Sequence, residues 1–374
     1  MCEVGAMLRI LRPLQVLSVL VGTAVLGQPQ MVLEPQLAAS TAQAGGGEAS
    51  VSPHDELAFA GYVQLLAARA RADGVSEPTI SALTSGLRLN RRVIALDRSQ
   101  PGTASKGVVP LVAPYLRSHV DSARILRGRA KLVAVTPFAG AIEQRYGVPL
   151  PVLLAIWGHE TDYGGEKGSF DLPSALATLA FEGRRRELFA SEFVAVLKMA
   201  DRGVPRSRLV GSWAGAFGNP QFLPSMYLRL GVDGDGDGQA DIWSNAPDTL
   251  ASIANYFRDA GWRPSQPWGV RASVPASFDR AGVSTRLNSP SCARVHARHA
   301  RWLTVSEWRK LGVQPQAPIA DDVLASLFEP DGPGTAAWLI TGNYRVILHY
   351  NCSNFYALSV GMLADEIARA PRND

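Results

Sequence analysis

The residue whose type and setting most resemble a catalyst's is Glu160. In the run Leu150-Pro151-Val152-Leu153-Leu154-Ala155-Ile156-Trp157-Gly158-His159-Glu160, the side chains of Leu153, Ile156, Trp157 and Glu160 recur at i, i+3, i+4 and i+7. On a helix that spacing sets the glutamate on one stripe with three large apolar residues. A carboxyl group among Leu, Ile and Trp loses hydration, which disfavours the anion and raises the pH at which the proton leaves. Such a group can deliver a proton near neutrality, as a general acid must. By the same arithmetic Asp162 points to the opposite side, and Gly164-Gly165 ends the helix and opens space for a ligand. Periodicity alone favours a blander account, in which the glutamate is half of a buried ion pair with an arginine.

Other chemistries are limited by what their motifs lack. His159-Glu160 opens the zinc pattern H-E-x-x-H, but Tyr163 stands where the second histidine belongs. No serine lies in a G-x-S-x-G elbow, and no phosphate-cradling glycine loop or Cys-x-x-C pair occurs. The run Asp233-Gly234-Asp235-Gly236-Asp237-Gly238-Gln239-Ala240-Asp241 is different. It places carboxylates at loop positions one, three, five and nine and a glycine at position six, which suits Ca²⁺. Position twelve is Ser244 and not a bidentate glutamate, so the last ligand must come from elsewhere. A hydrated Asp/Gly turn is the plainer alternative.

The elements that must position these groups are mostly helical. Helical spacing covers two segments within 55–87, then 118–135, 138–146, 150–161, 185–202 and 247–260. A Pro- and Gly-rich stretch at 100–107 interrupts the pattern. Residues 270–333 break into short pieces that suit strands and turns, and 338–364 joins a β-like run at 344–350 to a final helix. No internal repeat is present. The predicted class is mostly α (α+β), with a small β-containing part.

At 374 residues, with 47% hydrophobic and 19% charged, the chain can bury a large core, which excludes disorder for most of it. A net charge of +4 is too small to indicate nucleic acid, and no such partner is expected. The cluster Arg184, Arg185, Arg186, Arg202, Arg206 and Arg208 suits a solvated helix face equally well. Arg9 and Arg12 precede the apolar run from Leu14 to Leu26, as in an export signal over 1–27. Small residues at 42–44 offer a second cleavage point. A linker rich in Ala, Gly, Gln and Ser follows over 28–54, with ordered structure expected from Asp55. Cys2 precedes the apolar run and no lipid-attachment cysteine follows it. Cys292 and Cys352 then form an even pair, suited either to a disulfide in an oxidising compartment or to two buried thiols.

Several long stretches, in order, resemble the membrane-bound lytic transglycosylase B family. They are Arg92-Val93-Ile94-Ala95-Leu96-Asp97-Arg98-Ser99-Gln100-Pro101, Tyr146-Gly147-Val148-Pro149 through Glu160-Thr161, and Ala175 to Phe181. Gly211-Ser212-Trp213-Ala214-Gly215-Ala216-Phe217-Gly218-Asn219-Pro220-Gln221-Phe222-Leu223-Pro224-Ser225, Ala254-Asn255-Tyr256, Tyr350-Asn351 and Tyr356 complete the match, over about 55–368.

The resemblance implies a lysozyme-like core, about 137–265, inside a larger helical enzyme, with a mixed α/β part over 266–368. It implies an exported, periplasmic peptidoglycan lytic transglycosylase, a monomer acting on glycan strands, with possible envelope machinery as partner. Glu160 is then the single acid and base. Ser212 and Gln221 line the cleft, and Tyr115, Tyr256, Tyr350 and Tyr356 surround the sugar subsites. For the aspartate loop it implies a structural Ca²⁺ held by Asp233, Asp235, Asp237, the carbonyl of Gln239 and Asp248, with no organic cofactor. Two alternatives stay open: a hydrolytic muramidase, with Asp162, Glu166 or Glu182 as second carboxylate, and a non-catalytic wall-binding protein. A calcium-binding structural protein would explain the aspartate loop but not the Glu160 helix.

Overall fold

The computed structural model describes residues 53–100, 110–285 and 292–369. The expected export signal, nearly all of the linker, Cys2 and most of the 100–107 stretch lie outside these residues. The first described helix, Pro53–Ala72, begins two residues before the expected start of order.

The centre of the molecule is the helix Leu150–Thr161. It buries Leu150, Val152 to Gly158, Glu160 and Thr161, so it has no solvated face. The apolar stripe read from the sequence is therefore part of a helix that is hydrophobic nearly all round, as a central helix must be. Three helices enclose it: Ser122–Tyr146, Ala246–Asp259 and the closing helix Asn354–Ala368.

Ser122–Tyr146 is one unbroken helix of 25 residues where two were expected. Asp121 caps its start by accepting from the Arg124 amide, and Gly147, with φ of 68°, ends it in the left-handed region. Pro137 lies inside it and removes one ladder donor. Packing of Val135, Ala139, Ile142 and Tyr146 into the core carries the helix past that defect. The separate helix Val112–His119 precedes it.

Arg91–Arg98 and Leu172–Glu182 are among the described helices that escaped the periodicity reading. Arg91–Arg98 is short and capped by Asn90. Leu172–Glu182, capped by Asp171, buries eight of the nine positions from Leu172 to Ala180, all but Ser174, which leaves little contrast between faces. The run at 344–350 is a correction. Its β-branched and aromatic residues read as a strand, but Gly342–Tyr350 is a helix, capped by Thr341, that buries Tyr344, Ile347 and Leu348 at i, i+3 and i+4.

The β part is an antiparallel sheet of five strands in the order Leu303–Thr304, Leu324–Phe328, Ala337–Thr341, Gly269–Ser273, Gln314–Pro315. Leu327 pairs with Leu339 and Phe328 with Trp338. Side chains alternate across a strand. Thus Ala325, Leu327, Ala337 and Leu339 face a small core with Val305, Trp308 and Val313, while Phe328, Trp338 and Ile340 join the main helical core. Both faces of the central strands are buried, and the sheet is fastened to the helices by its own pleat. No helix among the described residues is long and apolar enough to cross a membrane.

Candidate active site

Glu160 occupies the penultimate position of the central helix, and only 3% of it is exposed. No cation pairs with it among the described residues, so the ion-pair account of this buried acid does not hold. Its Oε1 instead accepts from the hydroxyl of Tyr356, on the closing helix, at 2.5 Å. Burial pushes the Glu160 proton affinity up and the Tyr356 hydrogen bond pulls it part of the way back, leaving it at about 7. At neutral pH the group is divided between acid and carboxylate, and can both give and take a proton.

The chain turns sharply after Glu160. Asp162 and Tyr163 both adopt left-handed backbone, with φ of 48° and 61°, so the helix ends on these residues and not on Gly164-Gly165. Strain of this kind persists only where the surroundings over-determine it. Here the Tyr163 ring is clasped by two glycines. A Cβ on Gly158 would stand 2.6 Å from its ring, and one on Gly128 would stand 2.5 Å from its hydroxyl. That hydroxyl donates to the Arg124 carbonyl at 3.2 Å, tying the central helix to its long neighbour.

The turn also brings Asp162 round to the Glu160 side. A cavity of about 110 Å³ is lined by Tyr115, His119, Arg124, His159, Glu160, Asp162, Glu166 and Tyr356. Helical arithmetic put Asp162 on the opposite side because it assumed that the helix continued. Its carboxylate receives Arg127 at 2.8 Å. The Tyr115 and His119 rings stack at 3.8 Å between centroids, and His159 meets the Tyr356 ring edge-on at 5.5 Å. His159, held by Ala155 O and Ser359 Oγ, is pushed by burial down to about 3 and stays neutral. Of the acids considered as a second carboxylate, Asp162 and Glu166 line this cavity, whereas Glu182 pairs with Arg98 at 2.7 Å.

Of the residues expected around the cleft, Tyr115 and Tyr356 line the cavity with Glu160. Ser212, Gln221, Tyr256 and Tyr350 do not. They belong to a loop behind it and to that loop's supports. Ser212 Oγ accepts from the Ala216 amide at 3.0 Å, and Gln221, with φ of 51°, donates from Nε2 to Gly218 O at 3.0 Å. The loop is pinned from three sides. Thr161, next to Glu160, donates to Asn219 O at 3.0 Å, Tyr350 donates to Pro220 O at 2.6 Å, and Asn219 Nδ2 donates to Thr249 at 2.9 Å. Tyr256 packs its ring on Tyr350 at 4.8 Å, and its buried hydroxyl has no hydrogen-bond partner among the described residues. Cys292 and Cys352 are joined, with Cα atoms 5.6 Å apart, which fastens the turn just before the Tyr356 helix.

His119 and Arg124 were missed by the sequence reading. His119 lies four residues from Tyr115 on one helical face, a spacing that could have linked them. Arg124 lies near the start of a helix whose periodicity was read from residue 118, and no local pattern marks it.

In the aspartate loop, oxygens of Asp233, Asp235 and Asp248 lie within 4.8 Å of one another. Asp237 is outside this group and its carboxylate accepts from the Gln239 amide at 2.8 Å. Asp241, at loop position nine, is turned instead to Arg208, at 3.0 Å, and to Ser244. Asp248 is fully buried, and burial with the neighbouring Asp235 and Asp233 charges pushes its proton affinity up. The donor set is entirely hard oxygen. The arginine cluster of the sequence is dispersed: Arg184 and Arg185 pair with buried Asp97, and Arg206 with Asp171.

The family model described as Transglycosylase SLT domain matches residues 58–365. The chain is 35% identical over 230 residues to membrane-bound lytic murein transglycosylase B of Escherichia coli (strain K12), across 61% of this chain and 59% of that relative's length. Among solved structures, SltB3 from Pseudomonas aeruginosa in complex with NAG-anhNAM-pentapeptide superposes with a TM-score of 0.74. It is 35% identical, with 84% of this chain and 83% of that chain covered. The Escherichia coli lytic transglycosylase Slt35 in complex with calcium gives a TM-score of 0.67 at 27% identity, covering 82% and 92% of the two chains. A match over most of the described residues, joined to a lysozyme-like helical fold around a buried glutamate, places the chain: it belongs to the transglycosylase SLT domain family.

Proposed function

We propose that the protein is a peptidoglycan lytic transglycosylase, which cleaves the β-1,4 bond between N-acetylmuramic acid and N-acetylglucosamine and closes a 1,6-anhydro ring. The observation that carries this reading is Glu160: buried, unpaired by any cation among the described residues, and poised by its surroundings to ionise near neutrality. The bound NAG-anhNAM-pentapeptide in the SltB3 relative supports the product.

The mechanism needs one carboxyl group. Protonated Glu160 gives its proton to the glycosidic oxygen as the C1–O bond breaks, leaving positive charge on the muramoyl C1. The C6 hydroxyl oxygen of the same sugar attacks C1, and its proton passes to ionised Glu160. The bond electrons stay with the leaving sugar's oxygen, and the enzyme returns to its protonated state. Tyr356 donates to Glu160 throughout and steadies the carboxylate that exists between the two transfers. Ser212 and Gln221, in the pinned segment 211–222, would meet the bound sugar beyond the cavity around Glu160, and Tyr115 would supply an aromatic wall. Asp162 and Glu166 leave hydrolysis as the competing route. Products decide: murein digested by the pure protein should yield anhydro-muramoyl ends, and reducing muramoyl ends would indicate a muramidase.

Asp233, Asp235 and Asp248 would hold a Ca²⁺ that braces the segment between the 218–221 loop and the Tyr256 helix, with the Gln239 carbonyl and Asp237 as further expected ligands. The calcium in the Slt35 relative supports this. The protein would act in the periplasm after removal of residues 1–27, with a linker to 54 leading into a catalytic region that ends near 368.

A further inference from the structure

The side chain of Arg124 is only 18% exposed and lines the cavity that holds Glu160. Its guanidinium makes no hydrogen bond among the described residues, and its buried Nε has no partner. The Asp121 carboxylate stands 4.0 Å from Nε, beyond hydrogen-bond reach, and already caps the Arg124 amide at 2.9 Å. Of the acids in the cavity wall, Asp162 is committed to Arg127 at 2.8 Å, and neither Glu160 nor Glu166 makes an ion pair with Arg124 among the described residues. His119 and His159 are both shifted toward the neutral form by burial, so they offer the cation no counter-charge. A guanidinium so enclosed, with one carboxylate at 4.0 Å and its donors unused, is only partly compensated for lost hydration. Its planar fork fits a carboxylate through two parallel hydrogen bonds.

We propose that Arg124 is a specificity-determining residue that binds a carboxylate carried on the 3-O substituent of the muramoyl sugar, an inference that rests on the transglycosylase reading. N-acetylmuramic acid differs from N-acetylglucosamine by that substituent alone. In a bare glycan it ends in the lactyl carboxylate. In a stem-bearing glycan the lactyl group is an amide, and the peptide supplies the carboxylates. Arg124 thus distinguishes a muramoyl strand from a chitin-like strand of the same length and linkage.

The test uses the full chain with Glu160→Gln, so that ligands are bound and not consumed. Calorimetric affinities are measured for chitotetraose, for a bare N-acetylglucosamine–muramic acid tetrasaccharide and for its stem-bearing form, then again after adding Arg124→Gln or Arg124→Lys. The preference for muramoyl ligand over chitotetraose should fall roughly 10- to 100-fold with Arg124→Gln, the weight of one charge-assisted contact. Arg124→Lys should recover part of it. Loss with the bare ligand assigns the lactyl carboxylate, and loss with the stem-bearing ligand alone assigns a stem carboxylate. A preference that stays within about twofold for both, or an equal loss of chitotetraose binding that marks a purely structural role, overturns the proposal. Should the protein with Glu160 intact release no product from murein while the preference still falls, the transglycosylase reading fails and the Arg124 assignment stands.

Discussion

The hydroxyl of Tyr356 and Oε1 of Glu160 meet at 2.5 Å, joining two helices that are 196 residues apart in sequence. Both groups are buried, at 4% and 3% exposure, so neither can replace the bond with water. This contact sets the ionisation of the one carboxyl group on which the proposed chemistry turns. Tyr356→Phe should lower kcat roughly ten- to a hundredfold, as expected for losing a hydrogen bond to a charged group. It should also move the Glu160 ionisation upward, since the hydroxyl is what holds it down. Steady-state kinetics against pH on defined muropeptide substrate reads both effects.

The pH profile follows from the same carboxyl. With its value raised to about 7, Glu160 is protonated below that pH and ionised above it. Its acid role comes first in the cycle, so kcat/KM should fall as pH rises through about 7, with an alkaline limb at that position in the free enzyme. A limb near the ordinary carboxylate value would mean that Glu160 is not the acid.

Stability should fall with rising pH over the same range as activity. The native state holds the Glu160 proton more tightly than the unfolded chain does, about 7 against 4.5. That contribution is fully present below 4.5 and is lost as pH rises through about 7. Glu160→Gln removes the buried charge, so the variant should be more stable than the wild type near pH 8, by up to about 3 kcal/mol, and nearly equal to it below 4.5. Denaturant unfolding at the two pH values measures the difference.

The sequence made the carboxyl visible and the turn after it invisible. Helical spacing and matched motifs found Glu160, Tyr115 and Tyr356, which share the cavity. Local periodicity cannot foresee where a helix stops when the stop is made by Tyr163 lodging between Gly128 and Gly158, a tertiary contact. Hence Asp162 was assigned to the wrong side. The helix Gly342–Tyr350 was misread for a similar reason, because Tyr, Val and Ile favour strands until a core claims them at helical spacing. Leu172–Glu182 was hidden by being apolar on every face. Asp241 fitted the spacing of a calcium loop, but its carboxylate is turned to Arg208 and Ser244, which spacing alone does not show.

Gly158 offers a direct check on that turn. An added Cβ would strike the Tyr163 ring at 2.6 Å, and the ring cannot retreat because Gly128 closes the other side. Gly158→Ala should destabilise the fold by about 1–3 kcal/mol through overpacking. It should also reduce activity more than a remote substitution of equal cost, because Asp162 and Glu160 flank the disturbed turn. Thermal unfolding and turnover measured together separate the two effects.

Calcium binding has a thermodynamic signature. If Asp233, Asp235 and Asp248 hold the ion in the folded state alone, Ca²⁺ at about 100 times its Kd should add about 2.7 kcal/mol to stability. EDTA should remove that gain, and Asp248→Asn should abolish it. An unfolding midpoint that ignores Ca²⁺ and EDTA alike would dismiss the site.

The central claim is that one buried carboxyl serves as both acid and base, and Glu160→Gln tests it most directly. Mass spectrometry of murein treated with the wild-type protein should show fragments ending in 1,6-anhydro-muramic acid. Glu160→Gln, folded and still able to bind glycan, should release none. Anhydro-muramoyl product formed by the variant at a rate near that of the wild type would contradict the account.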